Sequence, residues 1–207
     1  MTPSDDIADI AGAGDGLPER ERGMVRDAVE RAERDRFTEP PPATAGEQVR
    51  FLLEKVKGST RALARRLGVT QRTVQRYRKG QITQPRTATR EAMAEETATA
   101  WQPEVREQVR ETASSTGGLT ISTRCTFGFT SPRAGGSDDP RERRITQRVG
   151  PHHARAILAA QESGADEDEL LELVAAALAE AYFQEGGSRA DGLQVTMSDV
   201  RYLDLAF

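Results

Sequence analysis

The chain is short of cysteine, aromatic residues, histidine and long apolar runs, and each shortage removes a class of function. One cysteine, Cys125, stands among 207 residues. A single thiol closes no internal disulfide and supplies no cysteine-based zinc site, so a reducing, cytoplasmic setting is expected. Aromatic residues make up 5% of the chain, too few for a broad platform on which single-stranded bases stack. No apolar run approaches the roughly 20 residues that span a bilayer, and the first residues lack the charged-then-apolar pattern of a secretory leader. The two histidines, His152 and His153, are adjacent rather than one helical turn apart, so no metal site is expected from them. There is no phosphate-cradling glycine loop, no Ser-His-Asp set and no carboxylate cluster of a polymerase. The chain is therefore read as a non-enzyme with no cofactor of its own. No internal repeat is visible.

What is present is charge, unevenly spread. The formal net charge is −4, but residues 47–90 hold 12 basic and 2 acidic side chains, a net +10. Residues 1–46 hold 6 basic and 11 acidic side chains, and residues 161–207 hold 2 and 11. A polyanion responds to the local field and not to the sum, so one segment is marked as a nucleic-acid contact in an otherwise acidic protein.

The pattern along the chain predicts a mainly α, α+β protein. Residues 1–45 form a flexible acidic segment, with one surface helix expected near Gly23–Phe37 and a Pro40-Pro41-Pro42 linker after it. Val49, Leu52, Leu53 and Val56 recur at helical spacing over 46–57. Ser59 and Thr70 are N-cap residues for two further helices, closed by Gly68 and Gly80. Arg86–Ala113 has helical propensity, broken near Trp101-Gln102 because Pro103 follows. Trp101 is read as a core anchor. Over Leu119–Thr130 apolar and polar residues alternate, which predicts a strand with Cys125 on its packed face. Pro132–Pro140 reads as a loop and Arg143–Val149 as a returning strand. Helices are expected over 151–162 and 166–184, and a last strand over 194–205. The domains drawn from this are 1–45, a helical unit at 46–115 and an α+β unit at 116–207: a helix-turn-helix bundle, then a small antiparallel sheet with flanking helices.

The segment Thr60–Tyr77 has the residues a DNA-binding helix-turn-helix needs. Ala64 is the small residue at the helix crossing, Gly68 forms the turn, and Leu63, Leu67, Val69, Val74 and Tyr77 lock the angle. The second helix then presents Gln71, Arg72, Gln75, Arg76, Arg78 and Lys79, with Thr70, Arg65 and Arg66 beside them. Arginine and glutamine are the residue types that bond guanine and adenine edges and phosphates. The plainer reading of the same residues is a helical hairpin with a solvated charged face, which the net +10 makes the weaker of the two.

Several elements, in order, resemble the terminal proteins of Streptomyces linear chromosomes and plasmids. They are the run GEQVRFLLEKVKGSTRALARRLGVTQRTVQRYRKGQI, then Trp101-Gln102-Pro103, Thr116-Gly117-Gly118, the strand to Phe129, Ser137-Asp138-Asp139 and Tyr182-Phe183-Gln184. The resemblance covers residues 46–207. It implies a telomere-binding protein whose side-chain hydroxyl receives the first nucleotide when recessed 5′ ends are filled, and which stays covalently attached. It implies as partners telomeric DNA, a telomere-associated recruiting protein and a DNA polymerase. The polymerase would supply the dNTP and divalent metal. It implies association with the nucleoid, and a dimer is compatible with it. The matching acceptor is Ser137, with Asp138 and Asp139 beside it and Ser131 and Thr130 as fallbacks. The family has threonine at this position and a loop one residue shorter; serine keeps the hydroxyl chemistry. Read from the residues alone, Ser-Asp-Asp-Pro is equally an ordinary turn. Arg141, Arg143, Arg144 and Arg148 either contact phosphates near the acceptor or protect a strand edge. The rival class is a helix-turn-helix transcription regulator whose residues 117–207 dimerise or bind an effector; a further rival is a plasmid-maintenance protein that binds ends without covalent linkage.

Overall fold

A computed structural model describes residues 24–130, 138–183 and 194–207. The chain divides into two compact units, one made of Glu33–Thr112 and the other of the chain up to Ala32 together with Ala113–Phe207. The architecture is mainly α with one three-stranded antiparallel sheet flanked by helices, the class the hydrophobic periodicity predicts. No helix among the described residues is long and apolar enough to cross a membrane.

The unit Glu33–Thr112 is helical. Helices α2 (Ala45–Lys55), α3 (Thr60–Arg66), α4 (Gln71–Arg78) and α5 (Thr87–Ala100) share a core of Val49, Leu52, Leu53, Leu63, Ala64, Leu67, Val74, Tyr77 and Met93. Helix α6 (Pro103–Thr112) follows a break at Trp101-Gln102, as Pro103 dictates. Gln102 takes φ +42° there, and its side-chain amide holds Thr38: Oε1 accepts from the Thr38 N–H and Nε2 donates to Thr38 Oγ1, each at 3.0 Å. Trp101 is half-buried, donates Nε1–H to the Glu39 carbonyl at 3.1 Å and meets Phe51 edge-on at 5.0 Å. The Trp-Gln-Pro element is thus a corner that fastens two stretches of backbone. Glu33 is buried between Arg106 and Arg110, a pairing that no periodicity announces.

The second unit is built on strand β1 (Leu119–Thr130), the centre of the order β2-β1-β3. Its odd-numbered residues Leu119, Ile121, Thr123, Cys125 and Phe127 are fully buried, and the alternation places the even-numbered ones on the other face. Strand β2 (Asp138–Val149) begins five residues earlier than expected. Asp138–Pro140 fall in the stretch read as loop by its composition, yet β2 is an edge strand, where proline is tolerated. The register slips between Phe127↔Arg141 and Phe129↔Asp138, which accommodates the extra residue. Strand β3 (Gln194–Ala206) has its own irregularity opposite Arg124 and Thr126, with Asp199 at φ +48°. Helices α7 (Pro151–Ser163) and α8 (Glu167–Leu178) cover the apolar face with Ala154, Ile157, Leu158, Leu170, Val174 and Leu178. A π-helical turn, Ala179–Phe183, ends α8, and another, Ala113–Gly117, leads into β1.

Helix α1 (Met24–Arg34) departs from the expectation for residues 1–45. Val25, Ala28, Val29 and Ala32 are buried in the core of this second unit, so α1 is a core helix and not a surface one. Arg26 donates to the Ala165 carbonyl at 2.8 Å, and Arg31 donates to the Leu203 carbonyl at 2.9 Å. The Val25 N–H is accepted by Glu167 Oε1. Its stripe of small residues is thin, and only the tertiary partners show what it packs on.

Candidate nucleic-acid interface

Each helix of the basic segment starts on a side-chain cap. Thr44 and Glu47 make a capping box for α2; the Thr44 backbone N–H and hydroxyl both bond the Glu47 carboxylate and hold its pKa below the usual range. Ser59 Oγ accepts from Ala62 N–H and Thr70 Oγ1 from Thr73 N–H, both at 3.2 Å. Gly68 sits at φ +64° between α3 and α4, a conformation that glycine adopts without strain. The turn is closed by Val69 N–H to the Ala64 carbonyl at 2.9 Å. Of the residues expected to lock the pair, Leu63, Leu67, Val74 and Tyr77 are buried and Val69 is half-buried, and Ala64 at the crossing is buried too.

With Val74 and Tyr77 inward, steps of about 100° per residue place Arg72, Gln75, Arg76 and Lys79 on the opposite side of α4. Gln71 and Arg78 lie on its flank. All six are exposed, as are Thr70, Arg65 and Arg66. Among the described residues Arg66 is paired with Glu96 at 3.2 Å. Arg65, Arg72, Arg76, Arg78 and Lys79 pair with no described carboxylate. Four cations on a fixed helix, with two glutamines between them, can bond phosphates and base edges without first breaking internal bonds. Arg78 also lines a groove of 450 Å³ with Arg50, Lys57, Gly58, Leu53 and Glu54, a concavity with more positive than negative groups that the sequence did not disclose.

The expected nucleotide-acceptor region falls mostly beyond view. Ser131 and Ser137 lie outside the described residues, as do the side chains of Thr130, Asp138 and Asp139. Their place in the chain is clear: β1 ends at Thr130 and β2 opens at Asp138, so Ser137 directly precedes a strand paired with Phe129. At this end Phe183 packs against Phe127 and Phe129 at 5.3 and 4.8 Å, and Arg143 lies 6.0 Å from both the Phe129 and Phe183 rings. Three of the four arginines of β2 have separate partners. Arg144 lies over Tyr202 at 5.9 Å, Arg148 donates to the Gly117 carbonyl, and Arg143 caps the phenylalanines. Cys125 is buried, and burial pushes its thiol up to about 11, against a Thr123 hydrogen bond that lowers it. A thiol in that state is inert at neutral pH.

No family model, curated protein or solved structure matches the chain.

Proposed function

We propose that the protein binds duplex DNA through α3 and α4, and that it is a telomere terminal protein in which a hydroxyl near the start of β2 primes end synthesis. The observation that carries the DNA-binding part is the uncommitted Arg72–Gln75–Arg76–Lys79 face of α4, set opposite a fully buried face and inside a segment of net +10. The resemblance of residues 46–207 to the Streptomyces terminal proteins supports the priming part. In this reading the serine oxygen of Ser137 attacks the α-phosphate of a dNTP and pyrophosphate leaves. The new Ser–O–P bond then carries a 3′-hydroxyl for the polymerase to extend. The protein is a substrate of that polymerase and not a catalyst; the polymerase supplies the divalent metal, and a recruiting protein brings the chain to the nucleoid ends.

Radiolabelled dNTP, telomeric template and a polymerase-containing extract test this directly. We expect label that survives denaturation and disappears in Ser137→Ala. Label persisting in that variant moves the acceptor to Ser131 or Thr130. No label, with sequence-specific duplex binding intact, leaves a helix-turn-helix transcription regulator as the function.

A further inference from the structure

Neighbouring residues on an α-helix point about 100° apart, so His152 and His153 have no reason in their spacing to converge. They do converge. Their ring centroids are 3.9 Å apart, inclined at 40°. His152 folds back over the helix start, where Gly150 leaves room; a Cβ at Gly150 would stand 3.2 Å from His152 Nδ1. Both Nε2 atoms face Glu180, in the π-helical turn after α8: His152 Nε2 to Oε1 at 3.5 Å and His153 Nε2 to Oε2 at 3.2 Å. One ligand atom from each of the three residues lies within 4.8 Å of the others.

From this geometry we propose that His152, His153 and Glu180 bind one divalent transition-metal ion of the zinc class. In a tetrahedral site with bonds of about 2.0–2.1 Å, neighbouring ligand atoms stand about 3.3 Å apart. Each imidazole Nε2 already stands near that separation from one oxygen of the Glu180 carboxylate, and one atom from each residue lies within 4.8 Å of the others. Rotation of His152, whose side chain is 62% exposed, can bring the three atoms onto one ion. Two imidazoles and one carboxylate suit zinc, cobalt or nickel; calcium and magnesium favour all-oxygen shells. An ordinary His–Glu ion pair explains one imidazole on Glu180 and leaves the second, stacked beside it, without a role. His153 Nε2 is moreover shut off from solvent and makes no hydrogen bond, although Glu180 Oε2 lies 3.2 Å away.

His153 and Glu180 also line a groove of 880 Å³ shared with Asp168 and Glu172. Those carboxylates add negative potential that favours a dication. Glu180 and Phe183 share one turn, and Phe183 packs on Phe127 and Phe129. A bound ion would therefore steady the end of β1. This inference does not depend on the proposed DNA role.

The test uses the full chain, free of affinity tag and stripped with chelator, titrated with zinc chloride near neutral pH in a calorimeter. We expect one ion per chain with micromolar or tighter affinity. His152→Ala, on the exposed ring, should weaken binding at least about tenfold with unchanged circular dichroism, and Glu180→Gln should do the same. Cobalt in place of zinc should give visible absorption of tetrahedral intensity. Absence of binding overturns the site. So does undiminished affinity in His152→Ala, which would put the ion elsewhere; that variant decides the question even if His153→Ala fails to fold.

Discussion

At the scale of single residues, the positions that join elements carry the tightest constraints. Gly118 has φ +70°, and a Cβ there would lie 2.0 Å from the Val149 carbonyl oxygen. That oxygen is backbone at the far end of β2 and cannot swing aside. Gly118→Ala should therefore lower stability by about 2 kcal/mol or more, read from the urea midpoint; a loss under about 0.5 kcal/mol would mean that the junction relaxes freely. The glycine pair is legible in the sequence as a breaker, but the reason for Gly118 is not, because its obstacle is Val149, which reaches it only through strand pairing. The same holds for His152 and His153, discounted on spacing and brought together by Glu180 from another helix. Glu167 is a third case. Burial raises its pKa despite the hydrogen bonds from Val25 and Arg26, and no pattern in the acidic start of α8 singles it out from Asp168 or Glu169.

At the scale of elements, caps and alternation were readable because their causes are local. Ser59 and Thr70, the two expected caps, each accept the N3 backbone N–H of their own helix, and Thr44 and Asp166, not singled out by the sequence, do the same. Thr70 starts the helix that bears the candidate contact face, and it is exposed, so Thr70→Ala removes the cap without opening a cavity. A loss of about 1 kcal/mol is expected, seen as a lower thermal midpoint, while Thr70→Asn should retain most of it. An alanine variant as stable as the parent would show that packing of Val74 and Tyr77 alone holds α4. Strand β2 was misjudged at its start for a reason of the opposite kind. The run Pro132–Pro140 reads as a loop by composition, and only the place of Pro140 on a sheet edge lets the strand begin before that run ends. Helix α1 was misjudged likewise, since Val25, Ala28, Val29 and Ala32 form so narrow a stripe that its burial depends wholly on what covers it.

At the scale of the molecule, the sequence pI near 5.4 conceals a protein with two signs. The +10 of residues 47–90 should dominate encounters with DNA, while the acidic stretches repel it. Affinity for a telomeric duplex should fall steeply with salt, and Arg76→Ala should lower the log–log slope by about one if that side chain meets a phosphate. A base contact would instead cost roughly 1–3 kcal/mol at one base pair. Electrophoretic or anisotropy titrations at several salt concentrations separate the two. Affinity indifferent to salt would remove α4 as the contact surface.

The order of helices and strands, their caps, the break before Pro103 and the charged face of α4 came from the sequence, since each arises among residues a few positions apart. The sheet order β2-β1-β3, the burial of α1, the corner at Gln102, the clash behind Gly118 and the convergence of two histidines on Glu180 belong to tertiary structure. Each joins groups that the chain separates by many residues, and no local period records which distant surface will arrive.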